Sequence, residues 1–253
     1  MTLHTDISGS GRNVVLLHGF TQTGRSWRSI AQPLSAGHRV TTVDAPGHGE
    51  SSEVLLDLPR AADAVADACG GAVYVGYSMG ARLALHLAVR HPQLVHGLVL
   101  LGATPGILDA SERMARRASD VVLAKRIEAI GVPVFIEEWL QNPLFAGLPV
   151  DAVDRADRAR NTAAGLASSL RLAGTGAQEP LWDRLAELNM PVLVLAGSAD
   201  HKFTAIGRQM AEAIGDNARF EQIEGAGHSA HLEQPEAFVT VVAAWLRTLP
   251  PQP

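Results

Sequence analysis

The sequence predicts an α/β fold, a mostly parallel sheet flanked by helices with a helical block inserted into it. Three observations predict this. Short apolar, β-branched runs alternate with longer helical patterns, the arrangement of a parallel sheet covered on both faces. The alternation stops over residues 107–182, where helical patterns follow one another, and then resumes. At 253 residues and 47% apolar composition, the chain is long enough for one large core.

The elements follow in order. Residues 13–17, Asn-Val-Val-Leu-Leu, read as a strand ending at His18-Gly19, followed by a helical stretch over 26–34. Strands are predicted over 39–44 and 72–76, the latter breaking at Tyr77-Ser78. A helix from Met79 to about His91 is closed by Pro92, because the residue before a proline is pushed out of helical geometry. A strand over 97–102 ends the first half. The inserted patterns break at Gly131-Val132-Pro133 and Asn142-Pro143, then strands return over 191–197 and 219–223, and a last helix covers 235–249. Residues 1–106 and 183–253 are thus predicted to form the core. Residues 107–182 are predicted as a lid over the carboxyl ends of the strands, where open α/β sheets bind ligands. The Pro-rich residues 250–253 cannot extend the last helix.

Composition narrows the function. The net charge is −5 with no long run of Lys or Arg, which argues against nucleic acid or an anionic membrane as partner. No apolar run of about eighteen residues appears, and no basic segment leads into an apolar one at the start, so a cytoplasmic protein is expected. Arginine far outnumbers lysine, with only Lys125 and Lys202 present; alanine is abundant too, so most of this is compositional bias. Cys69, the single cysteine, excludes an internal disulfide and reads as a packed thiol.

The strongest chemical signal is Gly76-Tyr77-Ser78-Met79-Gly80 between a predicted strand and a predicted helix. A G-x-S-x-G at such a junction forms a tight turn that lifts the serine hydroxyl from the sheet edge. That hydroxyl is inert at neutral pH unless a base takes its proton and a third group orients the base. Among ten histidines, His228 follows the last strand in the loop Gly225-Ala226-Gly227-His228-Ser229 and is the candidate base. His18 and His48 read as structural or pocket-forming, His86 and His91 as packed or exposed, and His231 as pocket lining. Asp200, just beyond strand 191–197, is the candidate acid, whereas Glu224 stands too near His228 in sequence. The backbone N–H groups of Phe20 and Met79 are candidate donors to an oxyanion, each worth about 3–4 kcal/mol in such a role.

Together these features resemble the α/β-hydrolase superfamily over essentially the whole chain, with Asp44-Ala45-Pro46-Gly47-His48-Gly49 as one of its structural loops. The fold hosts esterases, haloperoxidases, C–C hydrolases and lyases, so the triad alone does not select a reaction. A narrower resemblance does. Leu17-His18-Gly19-Phe20-Thr21, the elbow continuing as Ala81-Arg82-Leu83-Ala84, and Pro105-Gly106-Ile107 are similar to the 2-succinyl-6-hydroxy-2,4-cyclohexadiene-1-carboxylate synthases of menaquinone biosynthesis. So are Ala115-Arg116-Arg117-Ala118-Ser119-Asp120, Trp139-Leu140-Gln141-Asn142-Pro143, Asp200-His201-Lys202-Phe203 and Gly227-His228-Ser229-Ala230-His231. Ala81 stands where the family commonly has glycine, and Leu108 near a position where some members are polar.

Arg82, one helical turn after Ser78, shares its helix face and sits beside the nucleophile. A guanidinium buried there needs an anion, either a substrate carboxylate or an internal Asp or Glu. The inserted block is charge-neutral from residue 107 to 171, nine basic against nine acidic residues, so its arginines carry meaning only by position. The resemblance implies Arg82, Arg116 and Arg160 as ligands of a carboxylate-bearing small molecule, with Tyr77 and Trp139 lining the pocket. Arg117, Arg155 and Arg158 read equally well as a solvated face. It further implies a lyase, without metal or cofactor, that eliminates pyruvate from 2-succinyl-5-enolpyruvyl-6-hydroxy-3-cyclohexene-1-carboxylate, Ser78 acting as a base. The alternatives are a carboxylesterase or C–C hydrolase working through an acyl-serine, and a non-catalytic ligand receptor on the same scaffold.

Overall fold

The computed structural model describes residues 2–251. The chain runs β1 (Thr5–Ser8), β2 (Arg12–Leu17), α1 (Arg28–Leu34), β3 (His38–Val43), α2 (Leu58–Cys69), β4 (Ala72–Tyr77), α3 (Met79–Arg90) and β5 (Val95–Leu101). Then come α4 (Ala110–Ile130), α5 (Val132–Leu140), α6 (Arg155–Arg158) and α7 (Ala163–Ala173). The sheet resumes with β6 (Val192–Gly197), α8 (His201–Ile214), β7 (Ala218–Ile223), α9 (Ala230–Glu233) and α10 (Pro235–Leu246).

Seven strands lie in the order β1-β3-β2-β4-β5-β6-β7, all parallel except the edge strand β1, which pairs antiparallel with β3. Side chains alternate across the sheet with period two. Val15, Leu17, Tyr74, Leu98, Leu100 and Val194 face one layer with α2, α3 and α8. Val14, Leu16, Val73, Val75, Val99 and Leu193 face the other, against Trp27, Phe238 and Trp245 of the α1 and α10 side. Because both faces are covered, the central strands carry unbroken apolar runs, which is why they are visible in the sequence.

Besides the short helix α9, three elements lie outside the sequence expectations. β1 has a half-buried first residue and three exposed ones, so it carries no apolar signature and exists because β3 offers an edge. α2 is capped by Asp57, whose side chain accepts the Arg60 N–H, with Pro59 in the first turn. α8 is opened the same way by Asp200, which accepts the Phe203 N–H. Cys69 ends α2 half-buried and unbonded, and burial pushes its thiol up to about 12.

The block between β5 and β6 has its own small core of Ala124, Ile127, Phe135, Ile136, Leu166 and Leu170. Phe20, from the loop after β2, packs against that core and joins the block to the sheet. Truncating a side chain as enclosed as Phe135, 1% exposed, costs about 3–5 kcal/mol.

Candidate active site

β4 ends at Tyr77 and α3 begins at Met79, leaving Ser78 alone at the junction with φ 51° and ψ −106°. A non-glycine residue held there is strained, and the surroundings must impose it. Ser78 N–H donates to the Leu101 carbonyl at 2.8 Å, pinning the turn to the end of β5. The two flanking glycines have a steric cause. A Cβ on Gly76 would stand 2.4 Å from the Gly80 carbonyl oxygen, and one on Gly80 would stand 2.1 Å from the Leu17 carbonyl oxygen. The first turn of α3 thus lies directly against β2, and only glycine allows that contact.

His228 and Asp200 reach Ser78 from two further strand ends. His228 Nδ1 lies 2.7 Å from Asp200 Oδ2, and its Nε2 lies 3.2 Å from Ser78 Oγ. An ionised carboxylate only accepts, so Nδ1 carries the proton and Nε2 presents its lone pair to the serine hydroxyl. Both side chains are nearly enclosed, 4% and 10% exposed. This relay spans 150 residues of chain between Ser78 and His228.

Ser78 and His228 open into a cavity of about 180 Å³, lined on one side by Phe20 and Met79 and roofed by Trp139 and Phe145 of the inserted block. The backbone N–H groups of Phe20 and Met79 find no acceptor among the described residues. Arg82 projects into the same cavity, 7% exposed, donating to the Ala173 carbonyl at 2.8 Å and, at 3.4 Å, to Gln178. No carboxylate pairs with it among the described residues. Burial, aided by the neighbouring charge of Arg116, pulls it down to about 10, so it stays cationic at neutral pH. Arg116 lines the cavity too, with its Nε bound to Asp120 at 2.8 Å, and Lys202 stands at the His228 side.

The chain matches the alpha/beta hydrolase family over residues 14–241. It belongs to the α/β-hydrolase family. It is 32% identical over 92% of its length to the 2-succinyl-6-hydroxy-2,4-cyclohexadiene-1-carboxylate synthase of Serratia proteamaculans (strain 568), covering 92% of that protein. A Bacillus subtilis (strain 168) protein provisionally named for the same synthase is 36% identical over 93% of this chain and 90% of its own. Among solved structures, MenH from S. aureus superposes with a TM-score of 0.86 at 31% identity, over 96% of this chain and 98% of that one. An esterase from Thermogutta terrifontis reaches 0.81 at 26% identity, over 97% and 93%. Within the α/β-hydrolase family, the chain therefore falls with the proteins named for that synthase.

Against this family frame, the site expectations divide. Ser78, His228 and Asp200 are brought together, and so are Phe20, Met79, Arg82, Arg116 and Trp139 around one cavity. Tyr77 lies fully behind the serine, its hydroxyl 2.8 Å from Ser229 Oγ, and borders a small recess beside Ser78. Arg160 is a correction. It points away, bound to Glu50 at 2.8 Å and Asp157 at 3.3 Å, and touches neither cavity nor recess. Arg158, two residues earlier, takes the inward place: 3% exposed, it bonds the Val153 carbonyl at 2.7 Å and Thr21 Oγ1, and borders the recess with Tyr77 and Ser78. The reason is local. Asp154 adopts a left-handed conformation, φ 43°, and starts a four-residue helix that ends on the buried Arg158, while Arg160 lies beyond it in a turn closed by its N–H on the Asp157 carbonyl.

His231 is a second correction, since it lines no cavity. It is fully enclosed between the rings of Trp27, at 4.5 Å, and Tyr77, at 4.3 Å, and burial lowers it to about 3. His18 is structural: Ala45 N–H donates to its Nε2, so Nδ1 bears the hydrogen and donates to the Gly19 carbonyl at 2.8 Å. Leu108 is 62% exposed and off the cavity, so its apolar character does not bear on the pocket.

Proposed function

We propose that the chain is a lyase of menaquinone biosynthesis that eliminates pyruvate from 2-succinyl-5-enolpyruvyl-6-hydroxy-3-cyclohexene-1-carboxylate, forming 2-succinyl-6-hydroxy-2,4-cyclohexadiene-1-carboxylate. One observation carries the reading: Arg82, a buried guanidinium with no carboxylate partner among the described residues, opens into the cavity beside Ser78. Enclosing such a charge is costly unless an anion completes it, and a substrate carboxylate supplies two oxygens in the geometry of the guanidinium fork.

In this reading His228 Nε2 withdraws the Ser78 proton while Asp200 holds the imidazole in the required tautomer. Ser78 Oγ removes the ring proton next to the succinyl carbonyl, and the electron pair moves onto the carbonyl oxygen. The amides of Phe20 and Met79 receive that negative charge. Collapse of the enolate breaks the ring C–O bond to the enolpyruvyl group, which takes up a proton and leaves as pyruvate. No acyl-enzyme forms. Residues 107–182 act as the lid that brings Trp139 and Arg116 over the substrate and excludes water. The enzyme works in the cytoplasm. Its one cysteine can form no internal disulfide, and no helix among the described residues is long and apolar enough to cross a membrane.

The test is a spectroscopic assay of pyruvate and cyclohexadiene formation with wild type, Ser78→Ala and Arg82→Ala. Wild type should turn over, Ser78→Ala should lose about a thousandfold or more in kcat, and Arg82→Ala should raise KM. Equal inactivity of all three, with a burst of p-nitrophenolate from activated esters and a trapped acyl-Ser78, would replace the lyase with a hydrolase. Tight binding without turnover that survives Ser78→Ala would make the chain a receptor.

A further inference from the structure

Asp200 orients the His228 ring, but it does not place the backbone that carries it. His228 stands in the connection between β7 and α9, outside any strand or helix. Glu233, the last residue of α9, reaches back across this connection. Its Oε2 accepts the Gly227 N–H at 2.6 Å and its Oε1 accepts the Ser229 N–H at 2.9 Å. One carboxylate therefore holds the amides on both sides of His228. Half-buried, its carboxylate also stands close to two glycines: a Cβ on Gly227 would come within 3.1 Å of Oε2, and one on Gly147 of the inserted block within 2.5 Å. Ser229 is tied a second time, through its hydroxyl, to Tyr77.

We propose that Glu233 is a positioning residue for His228, setting the height of the imidazole over Ser78 by bracketing its two neighbouring amides. This rests on the reading of His228 as the carrier of the Ser78 proton. The Nε2 to Oγ distance of 3.2 Å already lies at the long end of a hydrogen bond, so a small rise of the loop breaks it. A displacement of about 1 Å in a reacting group costs on the order of a hundredfold in rate. The chemistry of the bracket requires a carboxylate. Both of its oxygens accept, whereas a glutamine amide would turn an NH₂ donor toward one of the two N–H groups. Aspartate keeps two acceptors but is one methylene too short to meet both amides. The other groups on His228 act elsewhere: Asp200 on Nδ1, Ser78 on Nε2, and the rings of Tyr77 and Phe203 on its faces, at 5.4 and 4.5 Å.

The test compares wild type with Glu233→Gln and Glu233→Asp, with folding checked by near-ultraviolet circular dichroism. The first readout is the rate of Ser78 modification by a fluorophosphonate, in which the Oγ–P bond forms, fluoride leaves and the serine proton passes to His228. It needs an activated Ser78 but not the native substrate. Wild type that labels rapidly yet releases no pyruvate would therefore sink the lyase reading while leaving this one standing. Glu233→Gln is expected to label about ten- to a hundredfold more slowly and Glu233→Asp to recover part of that loss. In turnover, kcat should fall while KM stays within about twofold, and the downfield proton resonance of His228 Nδ1 should broaden. A folded Glu233→Gln that labels at the wild-type rate with that resonance unchanged overturns the proposal. So does a rise in KM matching the loss in kcat, which would mean a collapsed pocket. If Glu233→Gln does not fold, Glu233→Asp decides alone: slower labelling upholds the bracket and wild-type labelling overturns it.

Discussion

The sheet core and the inserted block handle their polar residues in opposite ways. In the core, the polar groups near Ser78 are buried and neutral or held by short internal hydrogen bonds, and the backbone is placed by close contacts that admit no side chain. All ten histidines lie outside residues 107–182, and four of them, His18, His48, His86 and His231, are buried with their basicity lowered, chiefly by loss of water. In the block, arginines face solvent in pairs: Arg126 with Glu138, Arg155 with Glu137, Arg171 with Glu128. Others there depart from this: Arg116 lies at the cavity, Arg158 turns in beside the serine, and Arg113 binds the Ile107 and Leu108 carbonyls. A core built this way fixes a reaction geometry, while a block with a small core and screened surface pairs can change position at little cost.

The sharpest way to break that contrast is to add one carbon at matched glycines. Gly80→Ala drives a Cβ to 2.1 Å from the Leu17 carbonyl oxygen, a contact with backbone on both sides. It should cost more than about 4 kcal/mol and leave little folded protein by urea titration. Gly131→Ala in the block meets nothing within 4 Å and pays only for its backbone conformation, φ 76° and ψ 166°, about 1–3 kcal/mol.

Acid should separate the two regions next. Burial holds His48 and His231 down at about 3 and His86 at about 4, against an ordinary imidazole's 6.5. Below 6.5 the unfolded chain takes up protons that the folded chain refuses. Their contribution is therefore complete above pH 6.5 and lost as pH falls toward 4. From pH 7.5 to 5.5 each imidazole costs about 1.4 kcal/mol, so the three should remove about 4 kcal/mol. Urea midpoints at pH 7.5 and 5.5 check this; an unchanged midpoint would mean that the core accommodates the charge.

The smallest effect should come from the block's surface pairs. Replacing Glu128, Glu137 and Glu138 together by glutamine should move the thermal midpoint by no more than about 2 °C, and less still in high salt. A larger drop would make those pairs a real brace for the block.

The same contrast explains what could be read in advance. The strands were legible because both faces are covered, and Ser78 because its flanking glycines are a steric requirement of the junction. Asp200 and His228 were legible because each follows a strand whose end must lie near the elbow. Arg158 was not, because it and Arg160 lie two residues apart on a block with no charge bias, and the short helix started at Asp154, with the turn after it, decides which one faces in. His231 gave a motif without a direction, since its enclosure depends on Trp27, some two hundred residues earlier in the chain, arriving on the same face of the sheet. Glu233 carries no signal at all in one dimension, because its partners are backbone amides.

By itself, then, the sequence determined the parallel sheet, the elbow and the identities of the relay, since these follow from short-range sterics and the order of strands. Tertiary structure alone decided the burial of Arg82 with no carboxylate partner among the described residues, the exchange of Arg160 for Arg158 and the bracket of Glu233 around His228. Those depend on where side chains far apart in the chain meet, and on how much water is left between them.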